Sequence, residues 1–337
     1  MNAPFKPIPE RGGVTPEIFD KEILPAGLPV VMRGLAAHWP AVRIGKESPE
    51  ALFAYLRKFD SGEKVEGSYG PPEIKGRYSY NADLSGFNFE RRSASFGEML
   101  DMIARCASDA PVALTVQSAP IGKHLPGFET ENAIPMLEGV EPRAWIGTKA
   151  TIAAHHDPWD NVACVITGRR RFTLFAPDQV ANLYVGPFEL TPAGAVISLV
   201  DFDAPHFERF PKFREALDAA VTAELEPGDA IFIPCMWWHH VRAEAPLNML
   251  VNYWWGPPPA GRCDPRFAFM HALLAFREMP IHHRLGWRAL FDQYAFEVNG
   301  PSGDHLPPQR RGILGRLSRS DVRALSAIIA RTLAEDE

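Results

Sequence analysis

The segment Ala154-His155-His156-Asp157 places two side chains that commonly bind metal ions two residues apart. Alternate side chains of a strand face the same side, so His155 and Asp157 should project together while His156 points away. An imidazole beside a carboxylate supplies two ligands of a 2-His-1-carboxylate facial triad. An isolated H-x-D pair also arises by chance, and a lone strand histidine is usually structural, so a third ligand is needed.

That third ligand must come from a distant strand, and the candidates lie in the run PGDAIFIPCMWWHHV. There His239 alternates with the apolar Val241. His240 alternates instead with the charged Arg242, which should face solvent. His239 is therefore predicted to point inward as the ligand. Three protein ligands on one face leave about three of six octahedral positions open.

Residues 111–256 consist of short β-rich runs broken by Gly and Pro, at intervals typical of a β barrel or sandwich. The clearest pair is NVACVIT and RFTLFAP, which should form a hairpin around Gly168. Residues 1–110 mix helices with short strands and should pack on this core. Residues 257–337 are helical in pattern, and the PPP at 257–259 marks their start. The predicted fold is therefore mainly β with flanking helices.

The composition excludes several classes of protein. With 46% hydrophobic and 23% charged residues over 337 positions, the chain is neither disordered nor short of core material. The 35 Lys+Arg and 41 Asp+Glu give a formal charge of −6, which argues against non-specific nucleic-acid binding. No apolar run is long enough to span a membrane, and MNAPFKPIPERGG lacks the apolar stretch of a signal peptide. Four scattered cysteines without a C-x-x-C pair fit a cytoplasmic protein.

Four runs, in matching order and spacing, give the chain a family resemblance. They are HHDPWDNVACVITGRRRFTLFAPDQ, VDFDAPHFERFP, EPGDAIFIPCMWWHHV and NMLVNYWW, all within about residues 140–256, with a weaker similarity in PVVMRGL near the start. Through them the chain resembles the JmjC/cupin-like iron(II)- and 2-oxoglutarate-dependent oxygenases, an asparaginyl hydroxylase among them. The resemblance implies a double-stranded β-helix, or jelly-roll, core with N-terminal α/β elements and C-terminal helices.

The resemblance also implies a role for individual residues. His155, Asp157 and His239 would be the catalytic residues that hold iron(II), with 2-oxoglutarate and dioxygen as cosubstrates. The far carboxylate of 2-oxoglutarate would pair with Arg170, whose planar guanidinium suits a bidentate carboxylate. Alternation agrees, because Arg170 shares a face with the apolar Phe172 whereas its two arginine neighbours face away.

Three further residues match family positions near the cosubstrate. Asn161 and Asn252 match positions that hydrogen-bond near the metal-binding end of 2-oxoglutarate, and Trp254 matches an aromatic that lines the pocket. Asn252 alternates onto one face with Leu250 and Trp254. Each asparagine could instead be a turn or strand-edge residue, and Trp254 could be a core residue.

Two departures from the family pattern concern the cosubstrate and the substrate. The family usually has a Thr three residues before the first iron-binding His, but Ile152 stands there, and Thr151 would face the opposite side unless the strand bulges. The asparaginyl hydroxylase presents an Arg and a Gln to its target amide where this chain has Val196 and Ile197. An apolar pair leaves a buried carboxamide unpaired at a cost of about 1–3 kcal/mol. Ile197 is therefore predicted to line a substrate pocket that does not take asparagine.

These features predict an enzyme that hydroxylates an unactivated C–H bond of a protein side chain or a small molecule and decarboxylates 2-oxoglutarate to succinate. One alternative is a metal-binding cupin-like scaffold without turnover, which would not need the triad together with Arg170. Another is a cupin isomerase or a dioxygenase independent of 2-oxoglutarate, which would not need Arg170 either.

The helical region 257–337 is too apolar to face water. The runs RFAFMHALLAFREM and HRLGWRALFDQYAF are apolar on much of their circumference, which suggests more than one neighbouring surface. Related oxygenases dimerise through C-terminal helices, so the resemblance points the same way. The chain is therefore predicted to form a two-fold symmetric homodimer through this region.

Overall fold

The structure is a computed structural model that describes residues 5–108, 112–256 and 264–335. The chain divides into two compact units, residues 1–256 and residues 257–337. The regions 1–110 and 111–256, which differ in sequence pattern, lie together in the first unit. The start of the second unit, including the PPP at 257–259, falls outside the described residues.

The described part of the first unit contains fifteen strands in two sheets. In chain order they are β1 (Lys6–Pro7), β2 (Glu10–Gly12), β3 (Val30–Arg33), β4 (Lys64–Gly70), β5 (Arg77–Tyr78), β6 (Glu90–Ser95), β7 (Ala113–Pro120), β8 (Pro142–Gly147), β9 (Ala150–His155), β10 (Asp160–Thr167), β11 (Arg170–Phe175), β12 (Val221–Leu225), β13 (Ala230–Ile233), β14 (Trp238–Ala243) and β15 (Asn248–Trp255). One sheet has the order β1-β12-β11-β14-β9-β5, and the other has the order β2-β3-β13-β10-β15-β8-β7-β4-β6. Both sheets are mixed, because β1, β2 and β5 pair in parallel with a neighbour.

Eleven α-helices flank these sheets or form the second unit, within the residues that the structure describes. They are α1 (Pro16–Ile18), α2 (Leu24–Ala26), α3 (Pro40–Glu47), α4 (Pro49–Arg57), α5 (Phe96–Ser108), α6 (Ile121–His124), α7 (Phe128–Glu131), α8 (Phe213–Ala219), α9 (Pro265–Phe276), α10 (Ile281–Tyr294) and α11 (Arg319–Glu335). A π-helical turn, Phe19–Ile23, joins α1 to α2. None of the helices described has the length and apolar character needed to cross a membrane.

The two sheets pack face to face, and alternation on each strand decides which side chains lie between them. Val165 of β10 and Leu174 of β11 belong to the apolar cluster between the sheets. Val162 and Cys164, on the other face of β10, pack in a separate cluster with residues of α3, α4 and α5. Because β10 is buried on both faces, its apolar run is continuous. The prediction of a mainly β protein with a jelly-roll core and flanking helices is confirmed.

The turn at Gly168 does not form the predicted hairpin. β10 pairs with β13 and β15, whereas β11 pairs with β12 and β14 in the other sheet. The chain crosses between the sheets at this turn, so the two apolar runs face each other across the core. The hairpin prediction was wrong because alternation specifies which face of a strand is buried and leaves its partner undetermined.

Substitution of Gly168 should destabilise this crossing. Its φ is +77°, and a Cβ would lie 2.6 Å from the Leu247 carbonyl oxygen. Gly168→Ala should therefore lower the free energy of unfolding by about 2–5 kcal/mol, through left-handed strain and overpacking. Urea denaturation would measure the change. Gly122→Ala is the control, because a Cβ there meets nothing within 4 Å, and an equal loss in both variants would contradict the prediction.

The second unit exposes much of its apolar surface. Neither α9 nor α10 contains a buried residue. Leu274 of α9 is 79% exposed and Phe267 is 69% exposed, and Trp287 and Leu290 of α10 are also exposed. Isolated exposed apolar side chains are normal, whereas this many on two consecutive helices favours an interaction surface.

Candidate metal centre

Strands β9 and β14 and the loop that follows β9 bring three side chains to one place. His155 lies opposite His239 in the ladder between these strands, and their ring centroids are 4.2 Å apart. Asp157 joins them, with its Oδ2 atom 3.5 Å from Nε2 of His239. One ligand atom of each residue lies within 4.8 Å of the other two, and no other group of His, Cys, Asp or Glu in the described residues has such geometry. The three residues form a candidate metal site.

Asp157 reaches this site from a loop, whereas the alternation argument expected it on the same strand as His155. β9 ends at His155. Pro158, which follows Asp157, has no N–H to donate to a strand ladder. The loop is held by the Met236 N–H, which donates to the Asp157 carbonyl oxygen at 2.9 Å. The loop, and not the pleat of a strand, brings the carboxylate to the imidazoles.

Both imidazoles present the same nitrogen to the centre. Nδ1 of His155 lies 2.9 Å from the Ala153 carbonyl oxygen, and Nδ1 of His239 lies 3.1 Å from that of Trp237. A carbonyl can only accept, so in the neutral rings Nδ1 carries the proton and Nε2 keeps a free lone pair. Burial also holds the pKa of His239 well below its ordinary value, which favours the neutral ring. Both rings can therefore donate Nε2 to a cation.

The carboxylate of Asp157 lacks the partner that a buried charge requires. Its Oδ2 atom is buried and accepts no hydrogen bond from any residue that the structure describes. Burial raises the pKa of Asp157, and the neighbouring His155 opposes that rise. A divalent cation would satisfy the orphaned oxygen and favour the ionised form. Two imidazole nitrogens and one carboxylate oxygen are the donor set of a 2-His-1-carboxylate iron(II) site, so the residues fit the implied metal.

The adjacent histidines lie outside this centre. His156 packs edge-on against Trp238, with ring centroids 4.6 Å apart. His240 stacks on Phe202 at 4.1 Å, and burial lowers the pKa of His240 to about 3. Arg242, on the same face of β14 as His240, forms an ion pair with an aspartate at 2.5 Å. The structure thus separates His155 and His239 from the histidine that follows each of them.

Arg170 lies in the same interior without a partner. It is buried, its Nε atom makes no hydrogen bond, and no ion pair to it occurs among the described residues. Burial lowers the pKa of Arg170 to about 10, so the guanidinium stays charged at neutral pH. It begins β11, four residues before Leu174, which lies opposite His239. Four strand residues span about 13 Å, a gap that the arginine side chain and a short dicarboxylate could bridge together.

A small cavity surrounds Arg170. Its lining includes Thr115 and Gln117 of β7, Trp145 of β8 and Ile152 of β9. Gln117 Nε2 donates to the Thr115 hydroxyl at 3.1 Å. Thr115, Gln117 and Trp145 were not predicted, because only the pairing of distant strands brings them here. Alternation along RAWIG places Trp145 on the same face as the charged Arg143, so this pattern offers no sign of an inward-facing side chain.

Ile152, which stands where the family usually has a Thr, lines the cavity wall. The ladder between β9 and β14 shifts register between His155 and Ile152, as expected for a bulge. Ile152 still faces the cavity, whereas Thr151 pairs with Arg77 and Arg242 outside it. No hydroxyl from this part of β9 therefore reaches Arg170.

The two predicted asparagines are joined in the interior. Asn252 Nδ2 donates to Asn161 Oδ1 at 3.1 Å, and Asn252 Oδ1 accepts from the Trp145 indole N–H at 2.7 Å. Both asparagines are buried on the interior faces of β15 and β10. Neither is a turn residue, since Asn161 pairs with Ile233 and Asn252 pairs with Arg143 in ladders.

Trp254 and Ile197 are each neighbours of one residue of the candidate metal site. Trp254 contacts Trp145 edge-on at 5.9 Å and Trp159 at 5.8 Å, and its indole is a polar neighbour of Asp157. Ile197 is buried and forms a single antiparallel bridge with His155. The run AVISLV (195–200), one of the short β-rich runs of residues 111–256, forms only such isolated bridges.

Comparisons with known proteins match the chain to one family profile and to several relatives. A family profile described as a cupin-like domain matches residues 15–261. The chain is 26% identical over 258 residues to Jumonji C domain-containing protein 5 of Drosophila melanogaster, covering 74% of this chain and 59% of that protein. It is 28% identical over 260 residues to HSPB1-associated protein 1 homolog of Danio rerio, covering 71% and 54%. The chain thus spans little more than half the length of these two relatives.

A third relative is matched over nearly its whole length. The chain is 26% identical over 323 residues to tRNA wybutosine-synthesizing protein 5 of Gallus gallus. That alignment covers 83% of this chain and 92% of the relative.

Proposed function

The chain belongs to the cupin-like domain family, and from this premise we propose that it is an iron(II)- and 2-oxoglutarate-dependent oxygenase. It would hydroxylate an unactivated C–H bond of a protein side chain or a small molecule. The observation that carries the proposal is the pairing, in one interior, of the candidate metal site with the buried guanidinium of Arg170, which has no ion-pair partner among the described residues. Jumonji C proteins typically are such oxygenases.

Six residues of the chain have a specific role in this proposal. His155, Asp157 and His239 would hold the iron through two imidazole nitrogens and one carboxylate oxygen. Iron(II) at this site would supply the activation of dioxygen that couples decarboxylation of 2-oxoglutarate to hydroxylation of the substrate. Arg170 would bind the far carboxylate of 2-oxoglutarate in a charge-assisted pair. Asn161 and Asn252 would orient its other end.

The wall beside His155 bears on the choice of substrate. Ile197 is buried, apolar and bridged to His155, whereas Val196 packs in a separate apolar cluster with Phe175 and Phe213. The Ile197 side chain offers no hydrogen bond to a carboxamide, whereas it can pack against the aliphatic part of a substrate. This supports oxidation of a saturated carbon next to an apolar surface and disfavours asparagine as the target. Trp254, beside Asp157, would also line the substrate pocket.

Formation of succinate tests the proposal. The full chain would be incubated with iron(II), ascorbate and 2-oxoglutarate, with and without a peptide or metabolite library. Succinate should form in a metal-dependent way and should increase with the library fraction that holds the substrate. The alternative, a metal-binding scaffold, predicts metal binding with no succinate above the level of the metal-free control.

We also propose that the chain is a homodimer through its second unit. The exposed apolar side chains of α9 and α10 support a self-complementary interface, and homodimers usually have such two-fold symmetry. Light scattering at low micromolar concentration should give twice the chain mass of 37.4 kDa. Leu274→Glu should shift the population towards monomer. A mass near 37.4 kDa for the unaltered chain would contradict the proposal.

A further inference from the structure

We propose that Trp145 is a positioning residue that fixes the amide of Asn161 as a hydrogen-bond donor towards the ligand at the metal centre. The inference rests on the proposed function, because that ligand is the keto-acid end of 2-oxoglutarate. It concerns a hydrogen-bonded chain that runs from Trp145 through Asn252 to Asn161. The direction of this chain follows from the chemistry of its first member.

The indole N–H of Trp145 can donate a hydrogen bond but cannot accept one. Its Nε1 atom lies 2.7 Å from Asn252 Oδ1. Turning the Asn252 amide over would bring its NH2 group against the indole N–H, and two donors would then face each other in a buried site. Asn252 must therefore present its oxygen to Trp145 and its nitrogen to Asn161.

The same argument fixes the second amide. Asn252 Nδ2 lies 3.1 Å from Asn161 Oδ1, so Asn161 must present its oxygen to Asn252. The remaining Asn161 Nδ2 group makes no hydrogen bond among the described residues. Asn161 is 6% exposed, and its Nδ2 atom is not one of the fully buried atoms that lack a partner, so this free donor opens onto accessible space. A carboxylate or keto oxygen of a ligand in that space can accept from it.

The free donor lies at the metal-bearing end of the interior. Asn161 is the second residue of β10 and follows Asp157 by four positions. Its ladder partner on β15 is Trp254, whose indole is a polar neighbour of Asp157. Trp145 is held in turn by its edge-on contact with Trp254 and by the wall of the Arg170 cavity. One indole thus borders both ends of the space assigned to 2-oxoglutarate.

Trp145→Phe tests the chain, because it keeps an aromatic ring and removes the indole donor that orients Asn252. Without it both amides can turn over, and Asn161 can face the ligand with an acceptor. The affinity for N-oxalylglycine, an unreactive analogue of 2-oxoglutarate, should fall by about 5- to 30-fold in calorimetric titrations with manganese(II) bound. Affinity for manganese(II) itself should not change.

A double-mutant cycle separates positioning from a structural effect. If Trp145 acts through Asn161, Trp145→Phe should weaken binding in the unaltered chain and add little to Asn161→Ala. Trp39→Phe is the matched control, because its indole also loses a hydrogen bond, to the Ala133 carbonyl oxygen, in a different cluster. It should leave ligand affinity unchanged even if it lowers stability.

Asn252→Asp provides a second route should Trp145→Phe fold poorly. It keeps the side-chain shape and the acceptor for the indole, while it replaces the donor to Asn161 with an acceptor. The same loss of affinity is expected. Additive losses of affinity in the cycle, or an unchanged affinity in Trp145→Phe, would overturn this inference but not the proposed function. Absence of N-oxalylglycine binding by the unaltered chain would overturn the proposed function and this inference with it.

Discussion

Asp157→Ala should abolish iron-dependent turnover, whereas His240→Ala should leave most of it. The Asp157 carboxylate is the one anionic donor of the candidate site, and its buried Oδ2 atom has no partner in the protein. Changes in groups that merely orient a ligand cost about 10- to 100-fold in metal affinity, so loss of the ligand itself should exceed about 100-fold. His155→Ala and His239→Ala should behave like Asp157→Ala.

His156 and His240, which directly follow the predicted ligands His155 and His239, provide matched controls. His156 packs on Trp238, and His240 stacks on Phe202. Substituting either histidine by alanine therefore removes an imidazole of similar burial from outside the centre. Calorimetric titration with manganese(II) and an activity assay would be run on all five variants, with thermal unfolding to check the fold. Loss of metal binding in His240→Ala with retention in His239→Ala would contradict the assignment.

Arg170→Ala should weaken 2-oxoglutarate binding by about 10- to 100-fold and leave metal binding intact. A charge-assisted bidentate pair in a buried site contributes about 1.5–3 kcal/mol, and no other described residue satisfies the guanidinium. Arg171→Ala is the control, because Arg171 lies on the other face of β11 and forms an ion pair with Glu224 at 2.6 Å. Calorimetry with manganese(II) bound would give both affinities.

The same residue carries a prediction about stability. A buried charge without a partner destabilises the ligand-free protein, so Arg170→Met, which keeps most of the volume, should raise the free energy of unfolding. 2-Oxoglutarate should then stabilise the unaltered chain but not this variant. An unchanged affinity for 2-oxoglutarate in both Arg170 variants would place the anchor elsewhere.

Alternation along strands explains why much of the interior could be predicted. It placed Phe172 and Val241 between the sheets, as the structure has them. The opposite face of β14 is not open to solvent as expected, since His240 is only 4% exposed. The same argument assigned His239, Arg170 and Asn252 to the interior, where the structure has them buried. These inferences needed only the two-residue period of a strand and a charged or apolar neighbour to choose the face.

The features that sequence reasoning missed are those that depend on distant partners. The crossing at Gly168 could not be predicted, because the apolar pattern of β10 and β11 is the same for a hairpin. Only the strands with which each one pairs distinguish the two arrangements. Asp157 joins the centre through a loop whose anchor, Met236, lies far along the chain. Trp145 enters the site because β8 pairs with β15. None of these pairings leaves a local signal in the sequence.

The central claim is that one interior holds a metal and anchors 2-oxoglutarate for turnover. Its most direct test is release of carbon dioxide from 2-oxoglutarate labelled in the carboxylate next to the keto group, measured with iron(II), ascorbate and the substrate library. The account predicts release matched by succinate from the unaltered chain, undiminished in Arg171→Ala and absent in Asp157→Ala. Metal binding without any release from the unaltered chain would contradict it.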